Sequence, residues 1–256
     1  MPEDGRVLAP EVLAFGSQVA DSLARTLGMD FVGAYFVGSV ALGGYVPNES
    51  DIDIAAVSTE ALTDLQRRSV ASAVLQVSAA CPARGLEFTL YRREVAGSPP
   101  AGADFEVNAN GGPRMPTTVH LDATVEPGFW YVLDRAIAHR SGLVIIGPPA
   151  RTIFADASRS TLLAAMYESM AWHRAHEKAT LYSVLNACRA WRFAADDVLG
   201  PKLEGAAWAR SRWSDQGLID AAVALRHGVD ATLDESAVDA LLSAVAGRLR
   251  EQPAEA

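Results

Sequence analysis

The sequence predicts an α+β fold in which strands and helices mix in the first part of the chain and helices alone make up the rest. Up to about residue 150, short apolar or alternating runs are separated by Gly and Pro. Beyond that point apolar residues recur at helical spacing. We therefore expect an N-terminal domain over 1–150, with a mixed sheet and flanking helices, and an all-helical bundle domain over 151–256.

The elements of the N-terminal domain follow from these patterns in order. Segment 10–27 has apolar residues at helical spacing, a proline near its start and Gly28 after its end, which predicts a helix. Segment 51–57 alternates charged and apolar residues before becoming apolar, which predicts a strand. By the same criteria we predict strands at 31–37, 86–95, 104–109 and 143–149, a short helix or turn at 40–45, and helices at 60–80 and 128–140.

The C-terminal domain follows the Gly-Pro-Pro segment that ends the last predicted strand. Its apolar residues keep helical spacing almost throughout. The spacing predicts five helices, at 158–174, 176–198, 204–213, 216–227 and 235–250.

Composition excludes several classes of protein. The chain has 256 residues, a net charge of −9 and no run rich in Lys or Arg, so long nucleic acid and an anionic membrane are not expected partners. A small cationic ligand is compatible with this charge.

The two cysteines are far apart and lack metal-ligand spacing. The first ten residues are acidic without an apolar core, so we expect no signal peptide and a cytoplasmic location.

One short segment carries the chemistry. Gly38-Ser39 follows a predicted buried strand, and Asp51 and Asp53 lie at i and i+2 on the next strand. Alternate strand residues project from one face, so these carboxylates can share a divalent cation. A Gly-Ser turn before a helix offers backbone N–H groups to phosphate. The combination predicts a site for a nucleoside triphosphate and its metal.

Glu87 adds a third carboxylate at the start of the following predicted strand. If that strand pairs with 51–57, Glu87 reaches the same face. Three acids with Mg²⁺ are typical of phosphoryl or nucleotidyl transfer, in which the third acid binds metal or accepts the proton of the attacking hydroxyl.

These motifs resemble a known family. Gly38-Ser39, Gly43 and the Ser-Asp-Ile-Asp segment at 50–53 resemble the signature of the DNA polymerase β-type nucleotidyltransferase superfamily. The segments LNACRAWRF at 185–193 and GPKLEGAAWA at 200–209 resemble the helical C-terminal domain of the streptomycin/spectinomycin adenylyltransferases. The resemblance covers about residues 30 to 215.

The resemblance implies a role for each matching residue. Gly38 and Ser39, together with Ser50, would contribute to the nucleotide site, and Lys202 would reach the triphosphate from the helical domain. Asp51 and Asp53 would bind Mg²⁺, and Glu87 would be the catalytic base. ATP and Mg²⁺ are the implied co-substrate and metal, with adenosine in the cleft between the domains. The implied reaction is transfer of AMP to a hydroxyl group of a small molecule, with an aminoglycoside as one acceptor class.

The acceptor is the least determined part of the prediction. Streptomycin-modifying members carry a Trp after the Pro-rich loop, and segment 104–113 has none, so neither streptomycin nor spectinomycin is assigned. The residues that we predict for contact with a cationic acceptor are Glu106, Trp172, His173, His176 and Glu177. A protein or RNA acceptor, or binding of nucleotide or drug without turnover, are the alternative functions. The sequence leaves the oligomeric state open.

Overall fold

The computed structural model describes residues 8–251. The chain divides into two units, Met1–Ala157 and Ser158–Ala256. The boundary expected after residue 150 is too early, because Ile153 and Phe154 are buried in a core of the first unit. Most of the N-terminal segment used for the prediction about a signal peptide lies outside the described residues.

The first unit is built on a six-stranded sheet with the order β5-β4-β3-β2-β1-β6. Strands β2 and β3 are parallel, and the other neighbours among the described strands are antiparallel. The strands are β1 Phe31–Phe36, β2 Ile52–Ser58, β3 Leu86–Arg92, β4 Val107–Gly112, β5 Met115–His120 and β6 Leu143–Ile146. The mixed sheet agrees with the predicted α+β class.

Helices cover the two faces of this sheet unequally. They are α1 Pro10–Leu27, α2 Gly38–Leu42, α3 Asp64–Ser78, α4 Arg93–Ala96 and α5 Gly128–Ser141. Apolar residues of α1 and α3 pack with Ile52, Ile54 and Phe88 in one core. The opposite face is apolar only in part, where Tyr91 packs with residues of α5 such as Tyr131. The rest of that face carries the acidic residues of the predicted site.

The second unit is helical, as predicted. It contains α6 Arg159–Trp172, α7 Leu181–Asp196, α8 Lys202–Arg210, α9 Gln216–Arg226 and α10 Glu235–Arg250. The helix predicted at 176–198 starts later, because a π turn over His173–Glu177 extends the preceding helix. Thr180 then caps α7 by accepting a hydrogen bond from the Ser183 amide. None of the helices in residues 8–251 is long and apolar enough to cross a membrane.

Close packing of α8 on α7 depends on Gly205. A Cβ at this position would lie 2.9 Å from the Cα of Arg189, which is closer than real Cβ atoms approach backbone. Gly205 is buried, as are its neighbour Ala206 and the facing Cys188. The small residue therefore sets the separation of the two helices.

We expect Gly205→Ala to lower the free energy of unfolding by about 1–3 kcal/mol, because the added methyl group forces the helices apart. Gly247→Ala is the matched control, since Gly247 lies in α10 and a Cβ there meets nothing within 4 Å. That change should stabilise the protein by up to about 1 kcal/mol. Urea unfolding of both variants measures the difference, and equal free energies would contradict the packing argument.

Candidate active site

The Gly-Ser turn packs directly on a carboxylate of the neighbouring strand. Helix α2 begins at Gly38, whose φ is +54°, and a Cβ there would lie 2.0 Å from Oδ2 of Asp53. The Ser39 amide donates a hydrogen bond of 3.3 Å to the same oxygen. The Val37 amide donates to the carbonyl oxygen of Asp53 at 3.0 Å. A residue without a side chain is therefore required at position 38 for the turn to approach Asp53.

Asp53 and Glu87 are brought together by the parallel pairing of β2 and β3. The two residues are register partners in this pairing, so their side chains leave the same face of the sheet. Glu87 is exposed and Asp53 is half-buried. The strand pairing assumed in the sequence analysis is thus confirmed.

Asp51 lies just before β2 and binds an arginine. Its two carboxylate oxygens accept hydrogen bonds of 2.7 and 2.9 Å from Nε and Nη2 of Arg84. This bidentate geometry is the strong form of the arginine–carboxylate pair. The sequence analysis did not select Arg84, although its position just before β3 places it at the same end of the sheet as Asp51.

Ser50 has a local role in the loop that leads to Asp51. It is buried, and its hydroxyl oxygen accepts a hydrogen bond of 2.9 Å from the Val46 amide. Its carbonyl oxygen accepts another from the Arg84 amide at 3.1 Å. Both contacts fix the loop between α2 and β2, so we assign Ser50 to positioning of Asp51 rather than to direct contact with nucleotide.

The acidic residues have the donor chemistry of a magnesium site. Mg²⁺ prefers carboxylate oxygens, and Asp51, Asp53 and Glu87 supply them at one end of two adjacent strands. Among residues 8–251, however, no group of three or more His, Cys, Asp and Glu side chains is arranged closely enough to hold a metal ion. The ion pair with Arg84 accounts for one of these carboxylates. The metal assignment therefore stays a prediction.

Polar side chains continue from Glu87 across the sheet. Asn110 of β4 is the register partner of Glu87, and Thr118 of β5 is the partner of Asn110. The Asn110 side-chain amide donates to Oγ1 of Thr118 at 3.3 Å and to Oδ1 of Asn108 at 3.1 Å. On the other side, burial raises the pKa of Tyr131, and the nearby charges of Glu126, Asp134 and Glu87 raise it further. The open surface beside Glu87 is therefore polar.

Glu106 is a structural residue rather than part of this surface. Its side chain is 5 % exposed and forms an ion pair of 2.9 Å with Arg67. It also accepts a hydrogen bond of 3.1 Å from the Leu62 amide. These contacts tie the start of β4 to the segment before α3, and they correct the prediction that Glu106 meets the acceptor.

The four predicted acceptor residues of the second unit lie in or beside the π turn. His173 is buried, and its Nδ1 lies 2.8 Å from Oε2 of Glu177. Its Nε2 lies 3.0 Å from the side-chain nitrogen of Asn186. Trp172 and His176 stack, with ring centroids 5.1 Å apart. These contacts of His173 are those of a buried structural histidine, and contact of the four residues with an acceptor stays a prediction.

Lys202 lies in the same unit at the start of α8. Its ammonium nitrogen is 4.9 Å from the centroid of the Tyr182 ring. The His173 hydrogen bond, with smaller contributions from Thr180 and from the charge of Lys202, holds the pKa of Glu177 below its usual range. Tyr182 was not selected from the sequence, where a tyrosine in the first turn of a helix carries no specific signal.

The acidic residues at the strand ends of the sheet are of the kind predicted for a nucleotidyltransferase. Residues 152–251 match the family model described as the C-terminal domain of aminoglycoside adenylyltransferases. The match confirms, for this part of the chain, the family resemblance that the helical motifs indicated.

A comparison with solved structures agrees on the fold. The chain is similar to a spectinomycin adenyltransferase from Enterococcus faecalis, solved with ATP and spectinomycin. The TM-score is 0.71 at 17% identity, with 95% of this chain and 100% of that chain covered. A search of curated proteins finds no significant match.

Proposed function

We propose that the protein transfers AMP from ATP to a hydroxyl group of a small cationic molecule, and that Mg²⁺ is required. The observation that carries the proposal is the contact of the Gly38-Ser39 turn with Asp53, next to Glu87 on the paired strand. A glycine turn, a half-buried carboxylate and an exposed glutamate therefore lie together at the starts of two central strands, which supports the proposal. The family match of the second unit supports the same reaction.

Each group of the first unit has a proposed task. Asp53 and Asp51 would hold Mg²⁺, which would neutralise charge on the phosphates and the leaving pyrophosphate. Glu87 is exposed and would accept the proton of the acceptor hydroxyl as its oxygen attacks the α-phosphorus. Gly38 and Ser39 would orient the phosphates through their backbone. In the second unit, Lys202 would supply positive charge to the triphosphate, as the resemblance implies.

An aminoglycoside or aminocyclitol antibiotic is the acceptor class that we propose. The structural neighbour was solved with spectinomycin. The chain carries a net charge of −9, which favours cationic ligands over anionic ones. The polar row of Asn110 and Thr118 beside Glu87 offers hydrogen-bonding groups to a molecule rich in hydroxyls.

The experiment is a panel of acceptors with ATP and Mg²⁺. Spectinomycin, streptomycin and other aminoglycosides are incubated with the protein, and pyrophosphate release is measured together with the mass of the acceptor. The expected result is a mass gain of one AMP on at least one acceptor, lost when EDTA is added. ATP binding without pyrophosphate release on any acceptor would instead support the alternative of binding without turnover.

A further inference from the structure

Lys202 lies against an aromatic ring of the second unit. Its ammonium nitrogen lies 4.9 Å from the centroid of the Tyr182 ring, which is within the range of a cation–π interaction. Its charge also acts on the Glu177 carboxylate. Lys202 and Tyr182 are both half-buried. The end of a long side chain therefore lies against a ring on α7.

Glu177 is fixed in turn by the π turn itself. Its carboxylate contacts Nδ1 of His173 at 2.8 Å and accepts a hydrogen bond of 3.2 Å from the Thr180 hydroxyl. His173 is buried and contacts Asn186. Thr180 is also the cap of α7, the helix that carries Tyr182 in its first turn. Hydrogen bonds thus join the π turn to the first turn of α7, which carries the Tyr182 ring.

The contact with an aromatic ring distinguishes Lys202 from the other lysine of the chain. The chain contains two lysines, and the other, Lys178, is largely exposed and pairs with Glu235 at 3.2 Å. A free lysine side chain loses conformational entropy when a ligand immobilises it. An ammonium that is already held gives up less on binding, and a ring face holds it without neutralising its charge.

We propose that Tyr182 is a positioning residue, which holds the Lys202 ammonium ready for the phosphates of a nucleoside triphosphate or for pyrophosphate. The proposal rests on the proposed function for the identity of the ligand. It reassigns His173 and Glu177 from acceptor contact to support of the π turn that precedes α7. Tyr182 is not a catalytic residue in this proposal, because it acts through the lysine.

The first test uses the scarcity of lysines. Reductive ¹³C-methylation keeps the positive charge and gives one side-chain NMR signal for each of the two lysines, apart from that of the N-terminus. The Lys202 signal, assigned with Lys202→Met, should be shifted upfield by the Tyr182 ring, and Tyr182→Leu should move it towards the Lys178 signal. Addition of pyrophosphate with Mg²⁺ should shift the Lys202 signal and leave that of Lys178 in place.

The second test measures affinity in the same samples. Tyr182→Leu should weaken pyrophosphate binding about two- to five-fold, the range expected for a cation–π contact at a partly exposed site. Tyr182→Phe, which keeps the ring, should bind as the wild type does. Tyr167→Leu is the matched control, because it removes a similar contact, 4.7 Å from the Arg250 guanidinium to the ring centroid, elsewhere in the same unit.

A double-mutant cycle separates positioning from general packing. In the Lys202→Met background, Tyr182→Leu should cause no further loss of pyrophosphate affinity, whereas a packing role would weaken binding equally in both backgrounds. In the active enzyme the same substitution should raise KM for ATP about two- to five-fold and leave kcat nearly unchanged.

The outcomes distinguish this proposal from the proposed function. A Lys202 signal without an upfield shift, or one insensitive to pyrophosphate in the wild type, overturns the positioning role even if adenylyl transfer is observed. Failure of every acceptor together with a Lys202 signal that responds to pyrophosphate overturns the proposed transfer reaction and leaves the positioning role standing. The upfield shift of the Lys202 signal and its response to pyrophosphate are both measured on the wild type, so they test the proposal even if Tyr182→Leu does not fold.

Discussion

Asp53→Asn is expected to lower kcat/KM for adenylyl transfer by roughly a thousandfold. A bound metal ion stabilises several kcal/mol of developing charge in such reactions, and each factor of ten corresponds to about 1.4 kcal/mol. The asparagine side-chain oxygen can still accept the hydrogen bond of the Ser39 amide, which Asp53 now accepts at 3.3 Å. The fold should therefore survive, and the loss should lie in chemistry.

Steady-state rates of pyrophosphate release over a range of Mg²⁺ concentrations measure this effect. Asp21→Asn is the matched control, since Asp21 is an exposed residue of α1 and should leave the rate unchanged. Circular dichroism of both variants verifies folding. An Asp53→Asn enzyme with wild-type kinetics would refute the assignment of this carboxylate to the metal.

The second large effect is expected for Glu87→Gln, which should reduce kcat about 10²- to 10⁴-fold. Glutamine keeps the size of the side chain but cannot accept a proton. If Glu87 acts only as the base, KM for ATP and the dependence on Mg²⁺ should stay near those of the wild type. If Glu87 binds the metal, more Mg²⁺ will be needed for half-maximal activity.

The pH profile of kcat is an independent test of whether Glu87 acts as the base. General base catalysis makes the rate depend on pH, and Glu87→Gln should lose the part of this dependence that the base causes. Glu60→Gln, at an exposed position after β2, is the control. Retention of the whole pH dependence in the Glu87→Gln profile would mean that another group is the base.

Most of the fold could be predicted from local pattern. Strands β1 and β2 and helices α1, α5 and α10 are found where the apolar pattern placed them. Helices α1 and α10 each have one buried face, and β1 and β2 are largely continuous buried runs. Strand β5 was missed. Its residues 116–119 are exposed, and its sequence contains a proline, so it has neither alternation nor an apolar run. An edge strand of this kind is defined by its partner rather than by its own sequence.

The site could be predicted only as far as residue type and spacing carry information. The acid pair at 51 and 53 and the parallel partner Glu87 follow from strand periodicity. The ion pair of Asp51 with Arg84 could not be predicted, because it depends on two loops that meet only after the sheet has formed. The π turn at His173–Glu177 could not be predicted either. A π turn inserts one residue into a helix and so rotates the helix face, but the amino-acid composition of the helix does not reveal this insertion.

The missed strand has a consequence for how the protein avoids aggregation. Strand β5 forms one edge of the sheet, where unpaired backbone groups can recruit a strand from another molecule. It contains Pro116, which lacks an N–H group, and its pairing with β4 is irregular between Asn110 and Gly112. At the other edge, β6 spans four residues. Proline and irregular pairing at one edge and a short strand at the other are features that oppose edge-to-edge stacking. The β4–β5 hairpin, which lies beside Glu87, therefore also protects the sheet against self-association.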